Sequence, residues 1–114
     1  MTHDTWRRMR AQVMTDVLHA LRYLHRRGVV HNDVKPENIV VGENGSAKLG
    51  DFGASQMFDG AEAAACTMLR SPGTPGFTAP ECLTDDAYDG RAADMWALGV
   101  TLYMLLVGSS PYQV

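Results

Sequence analysis

With 114 residues and an apolar share of 46%, the chain is one domain at most, and its composition excludes a disordered chain. Its net charge of −3, with Lys and Arg scattered or confined to the first predicted helix, excludes a nucleic-acid-binding surface. Cys66 and Cys82 lack metal-ligand spacing, no signal peptide follows Met1, and no apolar run could cross a membrane, so we predict a reduced, cytoplasmic protein.

A first helix is predicted over residues 3 to 27, and Gly28 is a natural stop for it. Arg22, Arg26 and Arg27 lie near its end, where cations complement the helix dipole. They form either a basic docking face or a solvated last turn, and we favour the solvated turn. The helical period is carried by apolar side chains at every third or fourth position: Trp6, Met9, Val13, Val17, Leu21 and Leu24.

A β-hairpin is predicted in the middle of the chain. Residues 39 to 41 and 47 to 49 have strand composition, and residues 42 to 45 contain an Asn-Gly turn signal. The hairpin therefore holds two loops, because Asn38 lies just before its first strand and Asp51 follows its second.

The second half of the chain has less regular patterns. Residues 54 to 78 have no sustained period and predict a long loop, in which residues 61 to 68 could form a helical turn or two. A short helix is predicted over residues 79 to 83, followed by a polar, acidic loop over residues 84 to 90. Residues 91 to 107 are apolar on nearly every helical face, which predicts a helix running through the core.

Polar side chains on the two loops suggest phosphoryl-transfer chemistry. Asp33 can accept the proton of a substrate hydroxyl, and Lys35 can offset charge on a moving phosphoryl group. Asn38 and Asp51 offer hard oxygen ligands suited to Mg²⁺. Each residue alone is typical of a surface loop, whereas the eight-residue pattern His-Asn-Asp-Val-Lys-Pro-Glu-Asn is far more specific.

Two further residues have competing interpretations. His31 is either a catalytic base or, as we favour, a packed histidine that supports Phe52, whose ring is expected to plug into the core. Asp94, expected at the start of the last helix, either holds the backbone of residues 31 to 33 or is an ordinary helix-start acid.

Hydroxyls on the long loop are candidate phosphorylation sites: Ser55, Thr67, Ser71 and Thr74.

Residues 31 to 38, the Asp-Phe-Gly at residues 51 to 53 and the sequence PGTPGFTAPE at residues 72 to 81 resemble the C-terminal lobe of eukaryotic-type protein kinases. The resemblance implies the α+β kinase fold, of which residues 1 to 114 are a partial domain. This part is expected to be mostly helical, with the short hairpin carrying the catalytic and metal-binding loops. Lys35 and the Gly-Thr at residues 73 to 74 are similar to the serine/threonine branch. Within that branch, residues 73 to 81 and 91 to 112 most resemble the calcium/calmodulin-dependent protein kinase kinases.

The resemblance implies transfer of the ATP γ-phosphoryl group to a Ser or Thr hydroxyl of a protein substrate, with Mg²⁺ as cofactor. It implies ATP and a substrate protein as partners, together with an upstream activator or regulatory protein, and neither nucleic acid nor membrane. Asp33 and Lys35 would be catalytic, and Asn38 and Asp51 would hold the metal. The implied ATP contacts are Lys35, Glu37, Asn38, Val40 and Asp51.

Further matches carry supporting roles in the family. Thr74 matches a threonine that touches the base and the lysine, and Glu81 matches a glutamate that pairs with a later arginine. His31 and Phe52 are similar to the hydrophobic column that links the kinase lobes, and Val40 lies where the family places a residue beneath the adenine ring.

The chain departs from the family pattern in two ways. Asn32 replaces the usual arginine, which pairs with a phosphorylated loop residue in the family, so the activation switch is in question. The glycine-rich loop, strand lysine and final helices of the family are not in this sequence, so residues 1 to 114 are expected to bind nucleotide weakly and to be inactive alone. A kinase-like scaffold, working through an apolar surface near Val40, Leu49 and Phe52, and a merely partial sequence stay open as alternatives.

Overall fold

The computed structural model describes residues 2–58, 67–69, 74, 76–84 and 87–108. This part of the chain is mostly helical and carries three small antiparallel sheets of two strands each. The helices are α1 (His3–Arg26), α2 (Pro80–Thr84) and α3 (Gly90–Val107), with a 3₁₀ turn at Pro36–Asn38. The strands are β1 (Val29–Val30), β2 (Ile39–Val41), β3 (Ala47–Leu49), β4 (Gln56–Met57), β5 (Thr67–Leu69) and β6 (Ala87–Asp89).

Helix α1 begins at the predicted residue and ends one residue before the predicted end, so the prediction of this helix is confirmed. The Thr2 side chain caps it by accepting a hydrogen bond from the backbone N–H of Thr5 at 3.1 Å. The chain leaves the helix through Gly28, which adopts a φ of +77°. Arg22 and Arg26 are exposed at the end of the helix, in agreement with a solvated last turn. The buried stripe on the opposite face consists of Val13, Val17 and Leu21.

Strands β2 and β3 form the predicted hairpin, with Ile39 opposite Leu49. The turn needs a positive φ only at Gly45, where φ is +85°. The side chain of Asn44 stabilises the turn differently, by accepting a hydrogen bond from the N–H of Ser46 at 3.0 Å. The prediction of the hairpin is therefore confirmed.

Three predictions for the second half of the chain were wrong. Strand β4 lies in the predicted loop and pairs with β1, and β6 occupies residues that were predicted to be a polar loop. Strand β5 contains two residues of the predicted helical turns at 61 to 68, and residues 61 to 66 lie outside the described part. These strands have two or three residues, too few to show a period of two, and each depends on a partner distant in sequence.

Two groups of apolar side chains form the core. One joins α1, the hairpin and α3, and the other packs the end of α2 and strand β6 around Val30. Helix α3 was predicted to be buried on nearly every face, but only one side of it faces these groups. Trp96, Leu102 and Tyr103 are 36%, 38% and 42% exposed, because the described elements pack against that one side. Cys82 is buried and forms no disulfide with the described residues, and Cys66 lies outside them.

Among the described residues, no helix has the length and hydropathy needed to cross a membrane.

Gly28 lies where α1 and strand β1 meet the backbone of Phe58, and a side chain does not fit there. A Cβ at Gly28 would lie 2.4 Å from the carbonyl oxygen of Phe58. We expect Gly28→Ala to lower the free energy of unfolding by more than the ~1–2 kcal/mol of left-handed backbone strain alone. Urea unfolding checks this. The matched control is Gly99→Ala inside α3, where, apart from the backbone of the helix itself, no described residue lies within 4 Å of the added Cβ and stability should hold or rise.

Candidate active site

The buried carboxylate of Asp94 organises the loop that carries the polar motif. Asp94 is 1% exposed and lies in the second turn of α3, whereas Asp89 caps the start of that helix. Its two oxygens accept the backbone N–H groups of His31 and Asn32, each at 2.9 Å. The interpretation of Asp94 as the residue that holds this loop is confirmed, and the helix-start acid is Asp89.

His25 supplies a third donor to this carboxylate, and sequence reasoning missed it. Its Nε2 lies 2.8 Å from Oδ2 of Asp94. A signal was available, because His25 lies one turn beyond Leu21 and close to the buried stripe of α1. The first helix therefore helps to hold the loop through a hydrogen bond as well as through packing.

His31 is fully buried and uses both ring nitrogens inside the protein. Nδ1 accepts the N–H of Asp33 at 3.1 Å, so Nε2 carries the proton and donates to the carbonyl oxygen of Gly50 at 2.7 Å. A histidine with both nitrogens occupied has none left to abstract a substrate proton. The structural interpretation of His31 is therefore the one the geometry supports.

A cluster of four polar side chains lies beyond His31. Asn38 donates from Nδ2 to the backbone carbonyl of Asp33 at 2.7 Å and to its Oδ2 at 3.2 Å. Lys35 Nζ lies 3.7 Å from the same Oδ2 and donates to Thr74 Oγ1 at 3.1 Å. The Thr74 hydroxyl donates to Oδ1 of Asp33. The structure thus brings together the predicted base, lysine and threonine, each partly exposed, while the fully buried side chain of Val34 anchors the loop between Asp33 and Lys35.

Asp51 lies at the other end of the hairpin, directly after Gly50. The N–H of Gly50 donates to the carbonyl of Asn38 at 2.8 Å, which ties the two loops together at their inner ends. Asp51 itself is exposed, has a φ of +51° and accepts the N–H of Gly53 at 3.2 Å. Among the described residues, it makes no hydrogen bond to Asp33 or Asn38.

The remaining predicted positions divide into two groups. Val40 and Glu37 are exposed, so both are accessible to a ligand. The expectation that Phe52 plugs into the core was wrong: its ring is 46% exposed and packs edge-on against His31, with centroids 5.1 Å apart. The prediction that Leu49 contributes to an exposed apolar surface was also wrong, because Leu49 is only 9% exposed and belongs to the core. Strand alternation turns Leu49 inward and leaves Val40 outward.

Asn32 connects the polar motif to two other segments, and the sequence did not reveal these contacts. Its Nδ2 donates to the carbonyl of Ala54 at 3.1 Å, and its Oδ1 accepts the hydroxyl of Tyr88 at 3.3 Å. Burial, followed by the interactions with Cys82 and Asp94, raises the pKa of the Tyr88 hydroxyl from 10.0 to about 12. Tyr88 therefore remains a hydrogen-bond donor well into alkaline solution.

The protein kinase domain family matches residues 4–114. The serine/threonine-protein kinase GRIK1 of Arabidopsis thaliana is 48% identical over 99 residues, which cover 87% of this chain and 24% of that protein. The calcium/calmodulin-dependent protein kinase kinase of Caenorhabditis elegans is 44% identical over 100 residues, which cover 85% of this chain and 18% of that protein. The CBL-interacting serine/threonine-protein kinase 3 of Arabidopsis thaliana is 45% identical over 101 residues, which cover 84% of this chain and 22% of that protein.

The chain belongs to the protein kinase family and has the α+β fold of that family. Its relatives are serine/threonine kinases, so the resemblance to that branch is confirmed. The chain spans about a quarter or less of the length of these relatives.

We expect Asp94→Ala to lower the free energy of unfolding by about 3–5 kcal/mol, since it leaves buried N–H groups of His31 and Asn32 without an acceptor. Chemical denaturation measures the loss. Asp4→Ala in the exposed first turn of α1 is the control and should cost at most about 1 kcal/mol. Equal losses in the two variants would contradict the role given to Asp94.

The raised pKa of Tyr88 predicts a specific dependence of stability on pH. Between pH 10.0 and about 12 the unfolded chain releases the Tyr88 proton while the folded chain keeps it. The contribution of Tyr88 is therefore complete below pH 10.0 and is lost as the pH rises towards 12. The free energy of unfolding should fall less steeply across this window in Tyr88→Phe than in the wild type. Parallel slopes would contradict the assignment.

Proposed function

We propose that this chain is the catalytic-loop part of a serine/threonine protein kinase that transfers the γ-phosphoryl group of ATP to a protein hydroxyl. The observation that carries the proposal is the cluster of Asp33, Lys35, Asn38 and Thr74, in which a carboxylate is held among donors and remains partly exposed. Residues 1 to 114 are proposed to lie within the C-terminal lobe of the kinase domain.

Asp33 is the proposed general base. The hydrogen bonds from Asn38 fix its backbone and one carboxylate oxygen, so its orientation is set before a substrate arrives. The Thr74 hydroxyl donates to the other oxygen, which supports the ability of Asp33 to accept an aliphatic O–H group. A Ser or Thr hydroxyl of a protein substrate offers the same donor.

Lys35 is the proposed phosphate-contacting residue. Its ammonium group lies between Thr74 and Asp33, so it carries positive charge to the side of the base where a phosphoryl group would move. A cation there offsets charge on the transferred group and on the carboxylate. The same position lets Lys35 hold Thr74 against Asp33 while the site is free of substrate.

The donor set suits Mg²⁺. Because Nδ2 of Asn38 is committed to Asp33, its Oδ1 is the atom left for a cation, and Asp51 has a carboxylate oxygen beyond the one that accepts Gly53 N–H. Amide and carboxylate oxygens are ligands that this ion prefers. When bound there, Mg²⁺ would neutralise phosphate charge. The exposed Glu37 and Val40 are the further proposed ATP contacts.

The partners and the location follow from the same proposal. One relative is named for its interaction with CBL proteins and another for calcium and calmodulin, which supports a regulatory protein or upstream activator as a partner of this kinase. The cytoplasmic location stays a prediction from the sequence.

The catalytic proposal is tested in the full kinase domain that carries this chain. Asp33→Asn should lower kcat by about 100- to 10,000-fold, because the amide cannot accept the substrate proton. Radiolabelled phosphate transfer to a serine-containing protein measures the change. Asp4→Asn, which changes an exposed carboxylate on α1, should leave the rate unaltered. Equal rates in the wild type and Asp33→Asn would overturn the proposal.

A second assay separates the enzyme from the kinase-like scaffold. Titration calorimetry with Mg·ATP on residues 1 to 114 alone should give weak binding or none, since an ATP cleft needs residues beyond this chain. In the full domain, Asp51→Asn should weaken Mg·ATP binding. Full-domain binding that is unaffected by Asp51→Asn and accompanied by no phosphate transfer would favour the scaffold.

A further inference from the structure

The segment that carries Asp51 is held at both ends by two consecutive residues of the polar motif. His31 donates from Nε2 to the carbonyl of Gly50 at 2.7 Å, and Asn32 donates from Nδ2 to the carbonyl of Ala54 at 3.1 Å. The backbone of residues 50 to 54 is therefore hydrogen-bonded to the polar motif at its first and last residues. Because Asp33 follows directly after these two donors, the same bonds set the position of Asp51 relative to Asp33.

The side chain of Asn32 is itself fixed on every polar atom. Its Oδ1 accepts the hydroxyl of Tyr88, which is 6% exposed, while its backbone N–H is held by Asp94. Its φ of +70° lies in the left-handed region, which asparagine enters more readily than most residues. Asparagine at position 32 therefore accommodates the left-handed backbone and also makes both side-chain hydrogen bonds.

The bonds inside the segment do not by themselves fix its position on the rest of the protein. Asp51 has a φ of +51°, a left-handed conformation for a residue with a side chain. Within the segment, the local bonds are the short ones from Gly53 to Asp51 and from Ser55 to Phe52. These bonds form a turn but do not connect it to the rest of the protein. The connection comes from the side chains of His31 and Asn32, together with the N–H of Gly50, which donates to the carbonyl of Asn38 at 2.8 Å.

We propose that Asn32 is a positioning residue: together with His31 it fixes residues 50 to 54, and so sets the position of Asp51 relative to Asp33, through neutral hydrogen bonds with no charged group at position 32. The inference rests on the proposed function only in that Asp33 and Asp51 serve as base and metal ligand. The restraint on the segment is a property of this chain and is measured without activity.

Hydrogen exchange on residues 1 to 114 tests the restraint directly. Asn32→Asp retains the size, the tolerance of a positive φ and an acceptor for Tyr88, but loses the donor to Ala54. Asn32→Gly retains the backbone freedom and loses both side-chain bonds. The amides of Gly53 and Ser55 should exchange about fivefold faster or more in both variants. The matched control is Asn44→Asp in the β2–β3 turn, which should leave these amides unchanged.

Wild-type exchange rates at Gly53 and Ser55 in folded Asn32→Asp and Asn32→Gly would overturn the proposal. If neither variant folds, Tyr88→Phe decides, because it removes only the hydroxyl that orients Asn32. It should speed exchange at the same two amides relative to Tyr23→Phe, a change at an exposed ring on α1. Identical exchange in these two tyrosine variants would then overturn it.

A second readout connects the restraint to the reaction. In the full kinase domain, Asn32→Asp should raise the Mg²⁺ concentration that gives half-maximal activity by about tenfold, and the KM for the protein substrate should change much less. A purely structural defect would lower activity without moving the Mg²⁺ dependence. If the wild type transfers no phosphate, the proposed function fails, and the exchange experiment still decides whether Asn32 restrains the segment.

Discussion

The buried carboxylate of Asp94 is the constraint on which the site depends. Removing an ionised group from water is costly unless several donors replace the lost hydration. Here the backbone N–H groups of His31 and Asn32 and the imidazole of His25 supply them. Because these donors come from the loop and from α1, satisfying one charge also fixes the loop against two helices. The position of Asp33 follows from the backbone geometry that this carboxylate imposes.

From that fixed loop, the site is built outward through hydrogen bonds of neutral groups. The ring of His31 donates to the carbonyl of Gly50 and accepts the N–H of Asp33. These two bonds join the loops at the two ends of the hairpin. Asn38 then orients the carboxylate of Asp33, while Asp33 and Lys35 remain partly exposed. The rigid side of the site is buried and the reactive side is open, which is what a reaction governed by positioning requires.

The sequence predicted the chemistry of the site better than its supporting contacts. The residue types at Asp33, Lys35 and Asn38 indicated a base, a cation and a metal ligand, and the structure brings these three together. It did not show that His25 and Tyr88 reach the same loop: the place of His25 beside the buried stripe of α1 indicated partial burial, but no local pattern identified its distant partner or that of Tyr88. Phe52 was misjudged for a related reason, because apolar character alone does not say whether a ring is covered.

The sequence by itself determined the elements whose signals are local. The stripe through Val17 and Leu21 indicated α1, because the helical period is visible along the chain. Two segments of strand composition joined by an Asn-Gly turn indicated the hairpin, because the turn signal is local. Only the tertiary structure decided which segments meet: β1 with β4, β5 with β6, and the imidazole of His25 with the carboxylate of Asp94. Such contacts join residues far apart in the chain, and their energy exists only once the chain has folded.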